Sequence, residues 1–110
     1  MSKPLPPTLR EKSRYLVVEF ICGVQITKKD FGRVLWKTVL QVLGENGVSR
    51  LNLWIIDWDH GLGRGIVKVT HDSVDEMRAC IALIKEINGV EVTPRVTYVS
   101  GTLRKAQSKL

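Results

Sequence analysis

Residues 49–70, SRLNLWIIDWDHGLGRGIVKVT, contain two strand-like segments separated by a turn. The segments 49–58 and 64–70 are rich in β-branched and aromatic residues, which favour an extended backbone. Between them, residues 59–63 combine an aspartate and a histidine with two glycines, a composition typical of a tight, bulged turn. This stretch therefore predicts two antiparallel strands that form a hairpin.

One strand and one helix are predicted on each side of this hairpin. Residues 14–23 and 90–101 have strand composition, and Pro94 predicts an edge position for the second of them because proline cannot donate to a ladder. Residues 27–47 and 72–89 carry apolar residues at helical spacing and end on Asn-Gly. The order β-α-β-β-α-β predicts an α+β, ferredoxin-like fold, which RNA-recognition domains and many enzymes share. In this fold the antiparallel strands lie in the order 4-1-3-2, with both helices on one face.

The positive charge of the chain lies near its two ends. The formal net charge is +6, and residues 1–14 and 101–110 each contribute +3 to it. Residues 15–100 contain ten basic and ten acidic residues. A surplus of this size indicates a polyanionic partner or a soluble surface. We expect three parts: a basic N-terminal extension (1–13), one ferredoxin-like domain (14–101) and a basic C-terminal tail (102–110).

Nothing in the sequence predicts a membrane protein or a secreted one. No apolar run is long enough to span a bilayer, and residues 1–14 lack the apolar core of a signal peptide. Cys22 and Cys80 lie far apart in apolar segments, which indicates buried free thiols in a reducing compartment. We therefore expect a cytoplasmic protein.

The candidate catalytic motifs are incomplete. Asp57, Asp59 and His60 lie together, but no other acidic cluster supports a metal site there. Residues 23–25, Gly-Val-Gln, resemble part of the phosphate loop of acylphosphatases, but the glycine-rich continuation and the arginine that would clamp an acyl phosphate are missing. We expect no catalytic residue, no metal site and no bound cofactor on this chain.

The third strand differs from the base-reading strand of RNA-recognition domains, which reads Lys/Arg-Gly-aromatic-Gly/Ala-aromatic-Val-x-aromatic. Arg64 and Gly65 match this pattern, but Ile66 and Lys68 occupy its first two aromatic positions, and His71 occupies the last. One ring is a poor platform for stacking several bases. We therefore expect a hairpin arm whose Arg64 contacts phosphate.

The first helix carries two apolar stripes, although a helix on one face of a sheet needs only one. The stripe expected to face the core contains Phe31, Val34, Leu35, Val39 and Val42. The second stripe, Trp36, Leu40 and Leu43, lies roughly 130° further around the helix. Alternation along the second strand predicts that Trp54, Ile56 and Trp58 share one face. Either a thick core absorbs these residues, or Trp36, Leu40, Leu43 and Trp54 form a protein–protein contact, which exposed Trp and Leu favour.

Three segments together resemble the archaeal and eukaryotic ribonuclease P protein component 2 family. They are LPPTLREKSRYLVVEF (5–20), GRGIVKVTHDSVDEMRACIALI (63–84) and RVTYVSGTLRKAQ (95–107), and the compact length is similar to that of archaeal members. The resemblance implies a subunit of a particle whose RNA removes the 5′ leader from precursor tRNA, with magnesium required by that RNA. It also implies a TIM-barrel-like protein subunit as partner. The apolar surface of the first helix would contact either that subunit or a second copy of this chain.

The fold order predicts where the RNA contacts lie. In the order 4-1-3-2, the start of strand one lies beside the end of strand four, so the basic ends of the chain should form one patch. Lys28 and Lys29 should form a smaller patch with Arg64 at the opposite end of the sheet. The expected RNA contacts are Arg10, Lys12, Arg14, Lys28, Lys29, Arg64, Lys68, Arg104 and Lys105. The alternatives are a stand-alone single-stranded RNA-binding module and an acylphosphatase-like enzyme.

Overall fold

The computed structural model describes residues 12–110, so Arg10 and most of the predicted N-terminal extension lie outside the described residues. The elements in chain order are β1 (Ser13–Ile21), α1 (Lys28–Leu51), β2 (Trp54–Asp59), β3 (Arg64–Thr70), a single 3₁₀ turn (His71–Ser73), α2 (Val74–Ala82), β4 (Glu86–Ile87), β5 (Val90–Glu91), β6 (Thr93–Ser100) and α3 (Leu103–Ser108). Within this range no helix is both long enough and apolar enough to cross a membrane.

Four strands form one antiparallel sheet in the order β2-β3-β1-β6. With β6 as the fourth long strand, this is the predicted 4-1-3-2 order, and it confirms the ferredoxin-like fold. Pro94 lies in β6, which is an edge strand as predicted. The hairpin of β2 and β3 is also confirmed, and β1 occupies a central position between β3 and β6.

The main core lies between α1, α2 and one face of the sheet. Phe31 of α1 stacks on Trp58 of β2 with ring centroids 4.2 Å apart, and Phe20 of β1 meets Phe31 edge-on at 5.4 Å. The Trp58 indole Nε1 donates a hydrogen bond to the carbonyl oxygen of Ile26 at 2.7 Å, so its one polar atom is satisfied inside the core. These aromatic contacts join the sheet to the start of α1.

A β-bulge in β2 reverses the face on which its later residues lie. The pairing with β3 shifts register between Ile55 and Asp57. Trp58 consequently lies opposite Gly65 on the helix-covered face, whereas Trp54 lies opposite Lys68 on the other face. The expectation that Trp54 and Trp58 share one face is therefore wrong, because it assumed unbroken alternation.

Helix α1 continues past its predicted stop at Asn46-Gly47. It is kinked at Gly44, which has φ 71° and ψ 178°, and then resumes to Leu51. Gly47 is buried inside the helix, where a Cβ atom would lie 2.5 Å from the Cβ of Leu43. The fully buried Leu51 anchors this last turn in the core, so residues 49–51 are helical and not the start of a strand. Packing of the helix outweighs the local Asn-Gly signal.

Helix α2 is shorter than predicted. It ends at Ala82, and residues 86–91 form a small hairpin of β4 and β5. Asn88 and Gly89, predicted as a helix stop, form the two-residue turn of this hairpin with φ of 54° and 78°. Two consecutive positive φ values are typical of a type I′ turn, for which Asn-Gly is the preferred pair. The fourth long strand therefore begins at Thr93.

The predicted C-terminal tail forms helix α3 on the opposite face of the sheet. The Thr102 side-chain oxygen accepts a hydrogen bond from the backbone N–H of Lys105 at 3.4 Å and caps the helix. Ala106 is fully buried against Val17 and Ile66 and completes a second, smaller apolar cluster. The prediction that both helices of the ferredoxin-like pattern lie on one face is confirmed by α1 and α2, whereas α3 was not predicted as a helix.

The hairpin turn predicts a specific cost for a side chain at Gly63. This residue has φ 66°, and a Cβ atom there would lie 2.6 Å from the backbone oxygen of Phe20. We expect Gly63→Ala to lower the free energy of unfolding by about 1–3 kcal/mol, measured by chemical denaturation. Gly61→Ala is the matched control, because a Cβ there meets only a side-chain oxygen of Asp59 at 3.4 Å. Equal stability of the two variants would contradict the assignment of strain to Gly63.

Candidate nucleic-acid interface

The basic ends of the folded domain meet at one end of the sheet. Tyr15 near the start of β1 pairs with Ser100 at the end of β6. The Arg14 guanidinium lies close to Gly101, where a Cβ atom would be 3.8 Å from Arg14 Nη1. Arg104 and Lys105 follow on the first turn of α3, and both are exposed. The structure therefore brings Arg14, Arg104 and Lys105 to the same end of the sheet, as the strand order implied.

Lys12 lies at the same end of the sheet. Its backbone carbonyl accepts a hydrogen bond from the backbone N–H of His71 at 2.8 Å, which fixes the chain just before β1, while the residue itself is exposed. We call the group Lys12, Arg14, Arg104 and Lys105 the terminal basic patch. The structure describes no acidic residue within the chain segments that form it, residues 12–15 and 100–110.

Arg64 takes part in an ion pair rather than standing free. Its Nε atom lies 2.6 Å from Glu19 Oε2, and Arg95 Nε lies 3.7 Å from Glu19 Oε1. Glu19 is opposite both arginines in the sheet register, and its side chain is only 12% exposed. The phosphate contact predicted for Arg64 stays a prediction, because the guanidinium of Arg64 is already paired with the Glu19 carboxylate. The sequence did not identify Arg95 as the second arginine paired with Glu19, because strand register cannot be read from the sequence.

Lys28 and Lys29 are exposed in the first turn of α1. The Thr27 side-chain oxygen caps this turn by accepting from the backbone N–H of Asp30 at 3.1 Å, and hydrogen bonding with Thr27 lowers the pKa of Asp30 below its usual value. The carbonyl of Ile26 binds Trp58, so α1 starts at the same end of the sheet as Arg64. The structure thus places the lysines at the predicted end, and the patch they were expected to form stays a prediction.

The second apolar stripe of α1 is divided by the structure. Leu40 is 49% exposed and Trp36 is also exposed, whereas Leu43 is half-buried and packs against the main core. Val42, which was expected in the core, is 47% exposed. The fully buried residues of α1 instead follow a spacing of four, and Leu43 fits that spacing. The assignment of Val42 to the core is therefore wrong, and Leu43 follows the core alternative that the sequence left open.

An apolar groove separates the middle of α1 from the start of β2. It has a volume of about 480 Å³ and is bordered by Trp36 on the helix and Trp54 at the edge strand, with Val48 and Leu53 between them. Leu40 lies one helical turn after Trp36. The groove brings together Trp36 and Trp54, the two tryptophans for which the sequence offered a protein contact as one alternative.

A row of side chains crosses the sheet on the face opposite α1 and α2. Ser100, Tyr15, Lys68 and Trp54 are successive cross-strand partners on β6, β1, β3 and β2. Nearby, Lys109 Nζ lies 5.4 Å from the centre of the Tyr98 ring. No single strand carries this combination, so a search for aromatic residues within one strand cannot find it.

The acidic residues of the β2–β3 turn are used for its structure. Asp59 Oδ1 accepts hydrogen bonds from the backbone N–H groups of Gly61 and Leu62 at 3.0 and 3.2 Å, and Asp57 Oδ1 accepts from the N–H of Trp58 at 2.8 Å. Between Lys12 and Leu110 no three His, Cys, Asp or Glu side chains lie close enough together to hold a metal ion.

Burial raises the pKa of the Cys80 thiol, and the charge of Glu76 raises it further.

Comparisons of the sequence with known proteins identify one family. The model of the Rpp14/Pop5 family matches residues 14–110. Ribonuclease P protein component 2 of Pyrococcus horikoshii is 37% identical over 107 residues, which cover 97% of this chain and 89% of the relative. The protein of the same name from Methanocaldococcus jannaschii is 36% identical over 99% of this chain and 80% of the relative. A chain in the cryo-EM structure of yeast ribonuclease MRP has the same fold, with a TM-score of 0.70 over 86% of this chain and 78% of that chain, at 14% identity.

Proposed function

The chain belongs to the Rpp14/Pop5 family, and we propose that it is a protein subunit of ribonuclease P that binds and supports the catalytic RNA. The observation that carries this proposal is identity of 37% with an archaeal ribonuclease P protein component 2 along nearly the full length of both chains. In this role the particle removes the 5′ leader from precursor tRNA. The RNA binds the magnesium that the reaction needs, and the particle works in the cytoplasm.

The terminal basic patch is the proposed main RNA contact. Its four described cations come from both ends of the chain and lie at the same end of the sheet. Lysine and arginine side chains attract phosphate and release the counterions bound there. Contacts of this type position a protein on folded RNA without reading its sequence. Arg10 would extend the patch beyond the described residues.

The proposed contribution of this chain to catalysis is structural. The carboxylates near the hairpin turn that could serve as acids, bases or metal ligands already accept backbone hydrogen bonds: Asp57 from Trp58 within β2, and Asp59 from Gly61 and Leu62 in the turn. Removing either carboxylate should disturb the turn rather than a reaction. The chemical step then belongs to the RNA and its magnesium ions.

The proposed contact with another protein lies on the exposed side of α1. Trp36 and Leu40 are large apolar residues on the helix surface, and Trp36 borders the 480 Å³ groove. Exposed Trp and Leu side chains in one patch favour a protein partner. We propose the TIM-barrel-like subunit of the same particle as that partner, with a second copy of this chain as the other candidate.

Reconstitution tests the function as a whole. We expect this protein, added with the TIM-barrel-like subunit to ribonuclease P RNA from the same organism, to raise the rate of precursor tRNA cleavage at limiting magnesium. The protein without RNA should not cleave, because its acidic residues hold the turn. RNA-free cleavage that disappears with Asp57→Ala or Asp59→Ala would contradict the proposed division of roles, and no stimulation of the RNA would contradict the subunit function.

A salt titration tests the terminal basic patch. The double variant Arg104→Ala/Lys105→Ala should reduce the magnitude of the slope of log affinity against log salt concentration by about one to two, because two phosphate contacts are lost. The control is Lys37→Ala/Lys85→Ala, which removes the same charge from the exposed groove beside α1 and β4. If both double variants change the slope equally, the effect is one of net charge and the patch is not the contact.

Leu40→Lys tests the protein contact. The substitution should weaken association with the partner subunit on the order of tenfold or more, measured by calorimetry, because it places a charge in an apolar interface. Its cooperative unfolding transition should be retained, since Leu40 is half-exposed. Gln41→Lys, the next exposed position on the helix, is the control and should associate as wild type. Unchanged association of the Leu40 variant would remove this surface from the interface.

A further inference from the structure

The largest exposed aromatic residue on the sheet is Trp54. Its side chain is 60% exposed, although a Trp side chain in a folded domain normally buries most of its surface. The indole is held in place, because its Nε1 donates a hydrogen bond to Asn52 Oδ1 at 3.2 Å. Asn52 in turn has the left-handed conformation that ends α1. A held, solvent-exposed indole is suited to a ligand that binds its ring faces.

The pairing register decides which residues surround Trp54. Trp54 is the cross-strand partner of Lys68, and Lys68 is the partner of Tyr15 on the next strand. Direct partners in antiparallel strands point to the same face, so the three side chains form a row with a cation between two aromatic residues. The neighbouring Ile55 confirms the alternation, because its Cδ1 atom packs against Gly32 of α1 on the opposite face.

Helix α3 leaves this part of the sheet uncovered. Its buried residue, Ala106, packs on Val17 and Ile66, and the helix lies mainly over β1 and β6, with Ile56 of β2 reaching the same apolar cluster. Tyr15 is half-buried beside this cluster, Lys68 is half-buried, and Trp54 is the most exposed of the three. The accessible surface therefore runs from Lys68 to Trp54 along β3 and β2.

The charge of this surface favours RNA over a protein partner. Within residues 12–110, the structure shows no ion pair for Lys68, and the row itself contains no acidic residue. Burying an unpaired ammonium group in an apolar protein interface is costly. An unpaired nucleotide supplies both a flat base for the indole and a phosphate for the lysine.

We propose that Trp54 stacks on an unpaired nucleobase of the bound RNA while Lys68 binds the adjoining phosphate, with Tyr15 bounding the site towards α3. This inference rests on the proposed RNA-binding function and adds a base contact to it. It assigns Trp54 to RNA instead of the protein contact expected from the sequence, and it leaves Trp36 and Leu40 at that contact. The site would take single-stranded or bulged nucleotides, because paired bases do not offer their faces.

Tryptophan fluorescence locates the stacked ring. Titration of the full-length protein with ribonuclease P RNA, and separately with single-stranded oligoadenylate, should quench part of its emission. Trp54→Phe should remove this quenching while keeping most of the affinity, since phenylalanine also stacks. Trp36→Phe, titrated in the absence of the partner subunit, is the matched control, and its loss of emission on RNA binding should equal that of wild type because Trp36 lies outside the row. Because position 54 is exposed, Trp54→Phe should fold as stably as wild type, and unfolding curves of both proteins test this.

Affinity and its salt dependence separate stacking from charge. Trp54→Ala should weaken binding roughly 5- to 100-fold with an unchanged salt slope, because a stacking contact releases no counterion. Lys68→Ala should reduce the slope by about one. The stacking site is overturned if quenching persists in Trp54→Phe or if Trp54→Ala binds RNA with wild-type affinity. In either case, RNA binding by the wild-type protein still supports the proposed function.

Two further outcomes are distinguishable. If Trp54→Ala binds RNA as wild type but fails to associate with the partner subunit, Trp54 belongs to the protein contact and the base-stacking proposal is overturned. If the wild-type protein, with the partner subunit present, does not bind ribonuclease P RNA, the proposed function fails and the stacking site falls with it.

Discussion

The close packing of Trp58 on Gly65 determines much of the arrangement of this domain. A Cβ atom at position 65 would lie 2.5 Å from the Trp58 ring, so only glycine leaves room for the indole between β3 and α1. From that position Trp58 stacks on Phe31 and donates to the carbonyl of Ile26. One side chain thereby fixes the hairpin and the start of α1 relative to each other. Gly65 is thus explained by packing and not by approach of a nucleotide.

The same packing accounts for the surface on the other side of the sheet. Trp54 and Trp58 are four residues apart and would share one face of a regular strand. The bulge between Ile55 and Asp57 adds a residue, so Trp58 enters the core while Trp54 points to the opposite face beside Lys68. A feature that serves the core therefore also creates the most exposed aromatic surface of the sheet.

Charge is distributed according to the topology of the sheet. The antiparallel pairing of β1 with β6 turns two basic termini, distant in sequence, into neighbours beside α3. At the other end of β1, Glu19 lies between Arg64 and Arg95 and compensates part of their charge. A phosphate backbone approaching the domain thus meets cations near the termini that form no ion pair within residues 12–110, and partly neutralised cations near the hairpin turn.

The sequence by itself determined the order of the long strands and helices, because periodicity and turn residues are local properties that each element carries. From that order it also determined the 4-1-3-2 sheet and the meeting of the basic ends. It did not determine the length of α1, where burial of Leu51 outweighs the Asn46-Gly47 signal. Nor did it determine the helical state of residues 103–108, because the surface of Val17 and Ile66 on which Ala106 and Leu103 pack exists only once the sheet has formed. Nor did it determine the row of Tyr15, Lys68 and Trp54, since these residues become neighbours only through strand register and a bulge, which are set by packing across the sheet.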